Sequence, residues 1–330
     1  MSTTSSYSSI YSNIASVILP IQIILGCLTN LLNILVLSRR TLLHASPCTY
    51  YFLATAVVGI LCVIAGPVVQ FTGFHFKFTQ NTNIVSCKLI PYFYVLMQYK
   101  TSVLLVLATC DRYCASSTAT NIRSLSSTSV ARRAILVTAV VLPIALSPIL
   151  AIWYISNVYG FSVCLTYSSV ISKIVVVINT VAINCLPPFM ILIFGLLTIL
   201  NIRAQRNRVA PADVNVPRRR RTEMQLARML LYQVGAYLIF YLPLGIIYAL
   251  LVLNTVTLTS MTGFIYGLAC LWYQCFSLAP FFLYTISGSV YRRELLHLLF
   301  RNNKFFRRNQ TTMQTFTMNP DRGNRSTIIQ

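Results

Sequence analysis

Asp111-Arg112-Tyr113 sets an acid and an arginine side by side at the end of an apolar run that begins near Leu89, just after Cys87. Arginine is costly beside lipid, and a carboxylate next to it can hold it as an ion pair. As a helix, Cys87 to Arg112 would be about 37 Å long, enough to cross a bilayer. The cysteine would stand at one end of that span and the charge pair at the other. Lys100 is a second charge, placed mid-span with no acid in reach by sequence. It could hold an anion, bond to backbone carbonyls, lose its proton through desolvation, or simply pack against hydroxyls such as Thr55.

Other chemistry is sparse. The 10 cysteines are scattered singly without a Cys-x-x-Cys, so a metal site has no support. The 3 histidines stand at span ends or in loops, which argues against an intramembrane enzyme. No cofactor motif is present. A transporter or channel is the competing class, but ion-coupled transporters place acids in the membrane core, and here only Asp111 and Glu223 border it.

The elements that would position these residues are membrane helices. The chain is 56% hydrophobic and 9% charged over 330 residues, with mean hydropathy +0.70, which indicates a polytopic membrane protein. A net charge of +21 would suggest nucleic acid in a soluble chain. Here the charges sit between apolar runs, so nucleic acid is excluded and anionic membrane lipids are the neighbours. Uncharged runs predict spans at Ile14–Ser38, Tyr50–Phe71, Leu89–Cys114, Ala134–Trp153 and Lys173–Ile202. Met229 to Tyr291 is too long for one helix and predicts two, joined by a turn around Asn254 to Ser260. The expected fold is an all-α membrane protein, a seven-transmembrane helix bundle. Tyr291 to Phe300 would add a short amphipathic membrane-surface helix, with Tyr291, Leu295, Leu298 and Leu299 on its apolar face and Glu294 off it.

Every arginine falls on one side of this arrangement, and the other side holds Lys77, Lys88, Lys173 and His75. The positive-inside rule then predicts an extracellular N-terminus and a cytoplasmic C-terminus. Residues 1–13 read as an extracellular disordered tail, 14–300 as the helical domain and 301–330 as a cytoplasmic disordered tail.

Seven spans, an outside N-terminus and Asp111-Arg112-Tyr113 at the inner end of the third resemble the rhodopsin-like (class A) G-protein-coupled receptors. Further marks are Asn30, Pro187-Pro188, Pro243 and the run Pro280-Phe281-Phe282-Leu283-Tyr284, whose wording is similar to invertebrate neuropeptide receptors. The resemblance implies a plasma-membrane receptor with an extracellular ligand, a heterotrimeric G protein as partner, and receptor kinase and arrestin as further partners. It implies a disulfide between Cys87 and Cys164. It implies an activation switch of Asp111, Arg112, Tyr113, Glu223, Tyr241, Pro243 and Tyr284, in which Arg112 pairs with Glu223 when inactive. Release would let the inner ends of helices 3 and 6 part. The chain also departs from the pattern. No acid lies at Val57 to Gly59, where the family carries a sodium-binding aspartate, and Tyr241 replaces a tryptophan.

The expected ligand contacts are Tyr94, Gln98, Lys100, Tyr241 and Tyr273. Amine receptors of the family hold the ammonium on an aspartate where this chain has Tyr94. With no acid before Asp111, a biogenic amine is disfavoured and a peptide favoured, with a lipid or small anionic molecule as the alternative. The lysines of the outer side favour a neutral or anionic ligand.

Overall fold

The computed structural model describes residues 2–44, 46–76, 81, 83–158, 161–166, 170–208, 216–252 and 259–300. Among the described residues, six helices are long and apolar enough to cross a membrane, and the pair Ser260–Ser277 and Ala279–Ser287, bent by 43°, makes a seventh when taken as one span. Their labels follow chain order: α1 (Ser2–Leu37), α2 (Cys48–Val63), α3 (Ile84–Ser116), α4 (Thr128–Ala145), α5 (Leu186–Arg208), α6 (Val216–Val252) and α7 (Ser260–Gln274). The protein is thus a helical multi-pass membrane protein.

α1 corrects the expected N-terminal tail, because it is helical from Ser2 rather than from Ile14. No glycine or proline interrupts the chain before Pro20. Tyr7 packs on Phe264 and Tyr11 on Phe74, with ring centroids 5.7 and 5.9 Å apart. Those contacts supply the burial that an isolated polar helix would lack.

α2 continues through a widened turn, Ile64–Val68, which contains Pro67, and then through Val69–Phe76. Proline lacks the N–H that a regular turn would use there. α1 and α2 meet at Asn30, whose amide donates to Gly26 O at 2.8 Å and Ser277 O at 3.0 Å. Gly59 faces this side chain: a Cβ there would sit 2.3 Å from Asn30 Oδ1. The stretch where the family pattern has an acid therefore has no room for one at Gly59.

α3 begins on a reciprocal cap, with Ser86 N donating to Asn83 Oδ1 at 2.8 Å and Asn83 N to Ser86 Oγ at 3.1 Å. It runs through the middle of the bundle, buried from Ser86 and Cys87 at one end to Asp111, Arg112 and Ser116 at the other. After α4, an antiparallel hairpin of β1 (Trp153–Val158) and β2 (Phe161–Thr166) interrupts the all-α plan, with Ile155 opposite Cys164. α5 is preceded by Val170–Asn184, and the two helices part at Cys185, where Pro187-Pro188 opens the first turn of the second.

α6 contains Pro243 without ending there. α7 bends through Cys275–Ser277 into Ala279–Ser287, whose first turn holds Pro280. Gly288 separates this from a surface helix, α8 (Ser289–Leu299). The buried side chains of α8 are Tyr291, Glu294 and Leu295, while Leu299 is exposed. This corrects the expected face, since Glu294 turns inward to Arg39, 3.3 Å away, at the end of α1. A partly buried carboxylate is stable there because it has a guanidinium partner. Tyr291 donates to Asn33 Oδ1 at 2.7 Å, and its burial pushes the phenol pKa up.

Candidate functional site: a cavity and a charged lock at opposite ends of α3

At the Cys87 end, Cys87 and Cys164 form a disulfide with Cα atoms 5.5 Å apart. The bond ties the hairpin to α3, and Trp153 of β1 becomes part of a cavity wall. The cavity measures about 820 Å³, within the range of small-molecule and peptide-terminus sites. Tyr94, Gln98, Tyr241 and Tyr273 all line it. Lys100 does not: it is half-buried on α3 away from the wall. Its place on the turn differs from that of Gln98, which is two residues, or roughly 200°, round the helix. Thr55, the hydroxyl proposed to hold Lys100, donates instead to Tyr51 O at 2.9 Å. Lys77 lies outside the described residues.

The floor of the cavity is aromatic. Tyr241 stacks on Tyr237 at 4.0 Å and meets Tyr273 edge-on at 4.6 Å and Phe276 at 5.0 Å. Such contacts combine apolar burial with a geometric preference. Tyr237 is fully buried, donates to Ile183 O at 2.5 Å, and lies 2.9 Å from the Ser102 hydroxyl. Tyr241, Tyr237 and Gln233 are spaced four apart on α6, so they form one continuous stripe on that helix. Gln233, 2% exposed, donates to the Tyr284 hydroxyl at 2.9 Å. The stripe therefore leads from the cavity floor to Tyr284.

At the other end, Arg112 Nη2 donates to Asp111 Oδ2 at 2.5 Å and Nε to the same oxygen at 3.2 Å. Both side chains are buried. The second carboxylate oxygen accepts from Ser126 Oγ at 2.9 Å, in the segment between α3 and α4. Tyr113 turns to Phe194 of α5, with rings 5.7 Å apart. Tyr284 is 1% exposed and packs on Phe52 at 5.0 Å and on Tyr291 at 5.8 Å. Pro243 lies two residues, about half a turn, beyond the cavity-floor residue Tyr241 on α6. The Glu223 side chain lies outside those described, as do the side chains of Arg218 to Arg221.

Sequence reasoning missed Gln233, Tyr237 and Ser102, which join the two ends, and Ser126 as a partner of Asp111. The signal for the first two was their spacing of eight and four residues from Tyr241. Among the described residues, no three His, Cys, Asp or Glu side chains converge as a metal site would need.

A family model for the 7 transmembrane receptors of the rhodopsin family matches residues 29–280. The chain belongs to this family. No curated protein matches it. As a rhodopsin-family receptor it is a G-protein-coupled receptor and not an enzyme, and its partners are an extracellular ligand and a heterotrimeric G protein. The match covers the disulfide, the Asp111–Arg112 pair and every cavity-lining residue but Tyr11, so the receptor assignment and the geometry concern largely the same part of the chain.

Proposed function

We propose that this receptor lies in the plasma membrane with the Cys87 end outside, and binds in its cavity a ligand that is not a biogenic amine. A peptide is the class favoured. The observation that carries this reading is Tyr94 on the cavity wall, in the place of an anchoring acid, in a wall that has no carboxylate among the described residues. An ammonium would be desolvated there without a counter-ion. The cavity size and the disulfide-tied hairpin beside it suit the end of an extended chain better than a compact amine.

Ligand pressing on Tyr241 would be transmitted along the α6 stripe. Moving Tyr237 breaks its link to Ser102 on α3, and moving Gln233 frees Tyr284. In this mechanism Arg112 then leaves its acidic partners, Asp111 and, by family resemblance, Glu223. The inner ends of α3 and α6 part and open a cleft for the G protein. The ligand acts only through its preference for the open state, since equal affinity for both states would shift nothing. Receptor kinase and arrestin would act on the same opened face.

The test is nucleotide exchange on a purified G protein with the reconstituted receptor, screened against short peptides, lipids and biogenic amines. Activation by peptides and not by amines is expected. A potent amine response would overturn the Tyr94 argument.

A further inference from the structure

We infer that the part of the ligand held in this cavity carries no charge. The inference rests on reading the cavity as the ligand site, and it names the chemistry that site selects. Among the described residues, no Asp, Glu, Lys, Arg or His lines the wall. The polar groups offered are neutral: amides such as Gln70 and Gln98, and phenols such as Tyr94, Tyr248 and Tyr266. Lys88 is half-buried, Lys173 is exposed, and neither lines the wall.

The lysines at this end, read from sequence, favoured a neutral or an anionic ligand. Geometry separates the two. An ion entering this cavity loses its hydration and meets aromatic rings and neutral dipoles, which replace only part of what water gave it. An amide or hydroxyl loses less, and each wall amide and phenol can donate to it or accept from it. The exclusion applies to both signs. A free ammonium and a free carboxylate are rejected alike, so a peptide would insert a blocked terminus or apolar side chains and keep its charges at the mouth.

Three closely matched probes test this: N-acetyl-diphenylalanine amide, which is uncharged; N-acetyl-diphenylalanine, an anion; and diphenylalanine amide, a cation. Equilibrium binding is measured on the full-length receptor in lipid nanodiscs. The uncharged probe is expected to bind at least about 10-fold more tightly than either ion. Gln98→Glu, which puts a carboxylate on the wall, should then raise affinity for the cation by about 10-fold over the parent receptor. Tyr94→Glu serves the same purpose where Gln98→Glu fails to fold. An ion that binds the parent receptor as tightly as the uncharged probe would overturn the inference and leave the cavity as the ligand site. Binding by none of the three at millimolar concentration would overturn the cavity reading itself. So would binding unchanged by Gly245→Trp, which fills the cavity.

Discussion

The two ends of α3 are built from opposite materials. The Cys87 end is a wide cavity with neutral walls, held open by a disulfide and a hairpin. The Arg112 end is closed by directional bonds: a guanidinium on a carboxylate, a serine on the same carboxylate, an amide on a phenol. Apolar and aromatic contacts vary smoothly with small shifts, and many ligands can satisfy them. Buried charged hydrogen bonds are either made or broken. In the mechanism proposed above, the contrast keeps recognition and switching apart. The stripe Tyr241–Tyr237–Gln233 is the only described stretch of α6 that touches the materials of both ends.

Variants can break this contrast, and the largest effect belongs to Cys87→Ser. Closing a loop with a sequence separation of 77 is worth about 4.5 kcal/mol on the chain-entropy estimate. The variant should lose ligand response entirely in a nucleotide-exchange assay. Ligand-free exchange in the receptor that still reaches the membrane should persist, since the lock is at the other end. Loss of both together would show that the ends are not separable.

Gln233→Leu comes next. It removes the tie to Tyr284 without removing bulk, and a buried hydrogen bond contributes about 1 kcal/mol. Ligand-free exchange should rise about 5-fold, with probe binding to the cavity little changed. A fall would place the Gln233–Tyr284 bond in the open state instead.

Glu223→Ala should raise ligand-free exchange about 3-fold, a change of under about 1 kcal/mol of the kind one ion pair contributes. No rise in a second-messenger assay would sink the Arg112–Glu223 latch and leave Asp111 as the partner that matters. The smallest effect is expected from Ser126→Ala, which leaves Asp111 its arginine and removes one neutral donor. About a 2-fold rise in ligand-free exchange is expected, and it should vanish in an Asp111→Asn background if Ser126 acts through that carboxylate.

Much of this contrast was legible in the residues alone. Uncharged run lengths gave seven spans, because crossing a bilayer demands a minimum apolar length. Tyr94, Gln98, Tyr241 and Tyr273 were placed together by family register, and the cavity wall contains all four. What hydropathy does not carry is rotation about a helix axis. Lys100 was expected among the ligand contacts, but it does not line the cavity wall. Gln233 reads as one polar residue in an apolar run, and only its alignment with Tyr237 and Tyr241 gives it a role. The hairpin carried a local signal that was overlooked: Trp153 to Thr166 is rich in β-branched and aromatic residues around Gly160. The start of α1 carried none, since its polar residues are held by aromatic contacts with α7 and the α2 extension rather than by their own propensity.

The fit of Gly59 against Asn30 also limits what a single substitution can do there. A carboxylate placed there by one substitution would be strained, because the first side-chain carbon would press on a buried amide already committed to Gly26 and Ser277. Overpacking there costs about 1–3 kcal/mol before any benefit of the new charge arrives. Asn30 would have to shrink as well, which takes its amide donor from Ser277 O, while Gly26 O keeps the Thr29 hydroxyl at 3.3 Å. An acid at Gly59 would therefore need paired changes, one at Gly59 and one at Asn30.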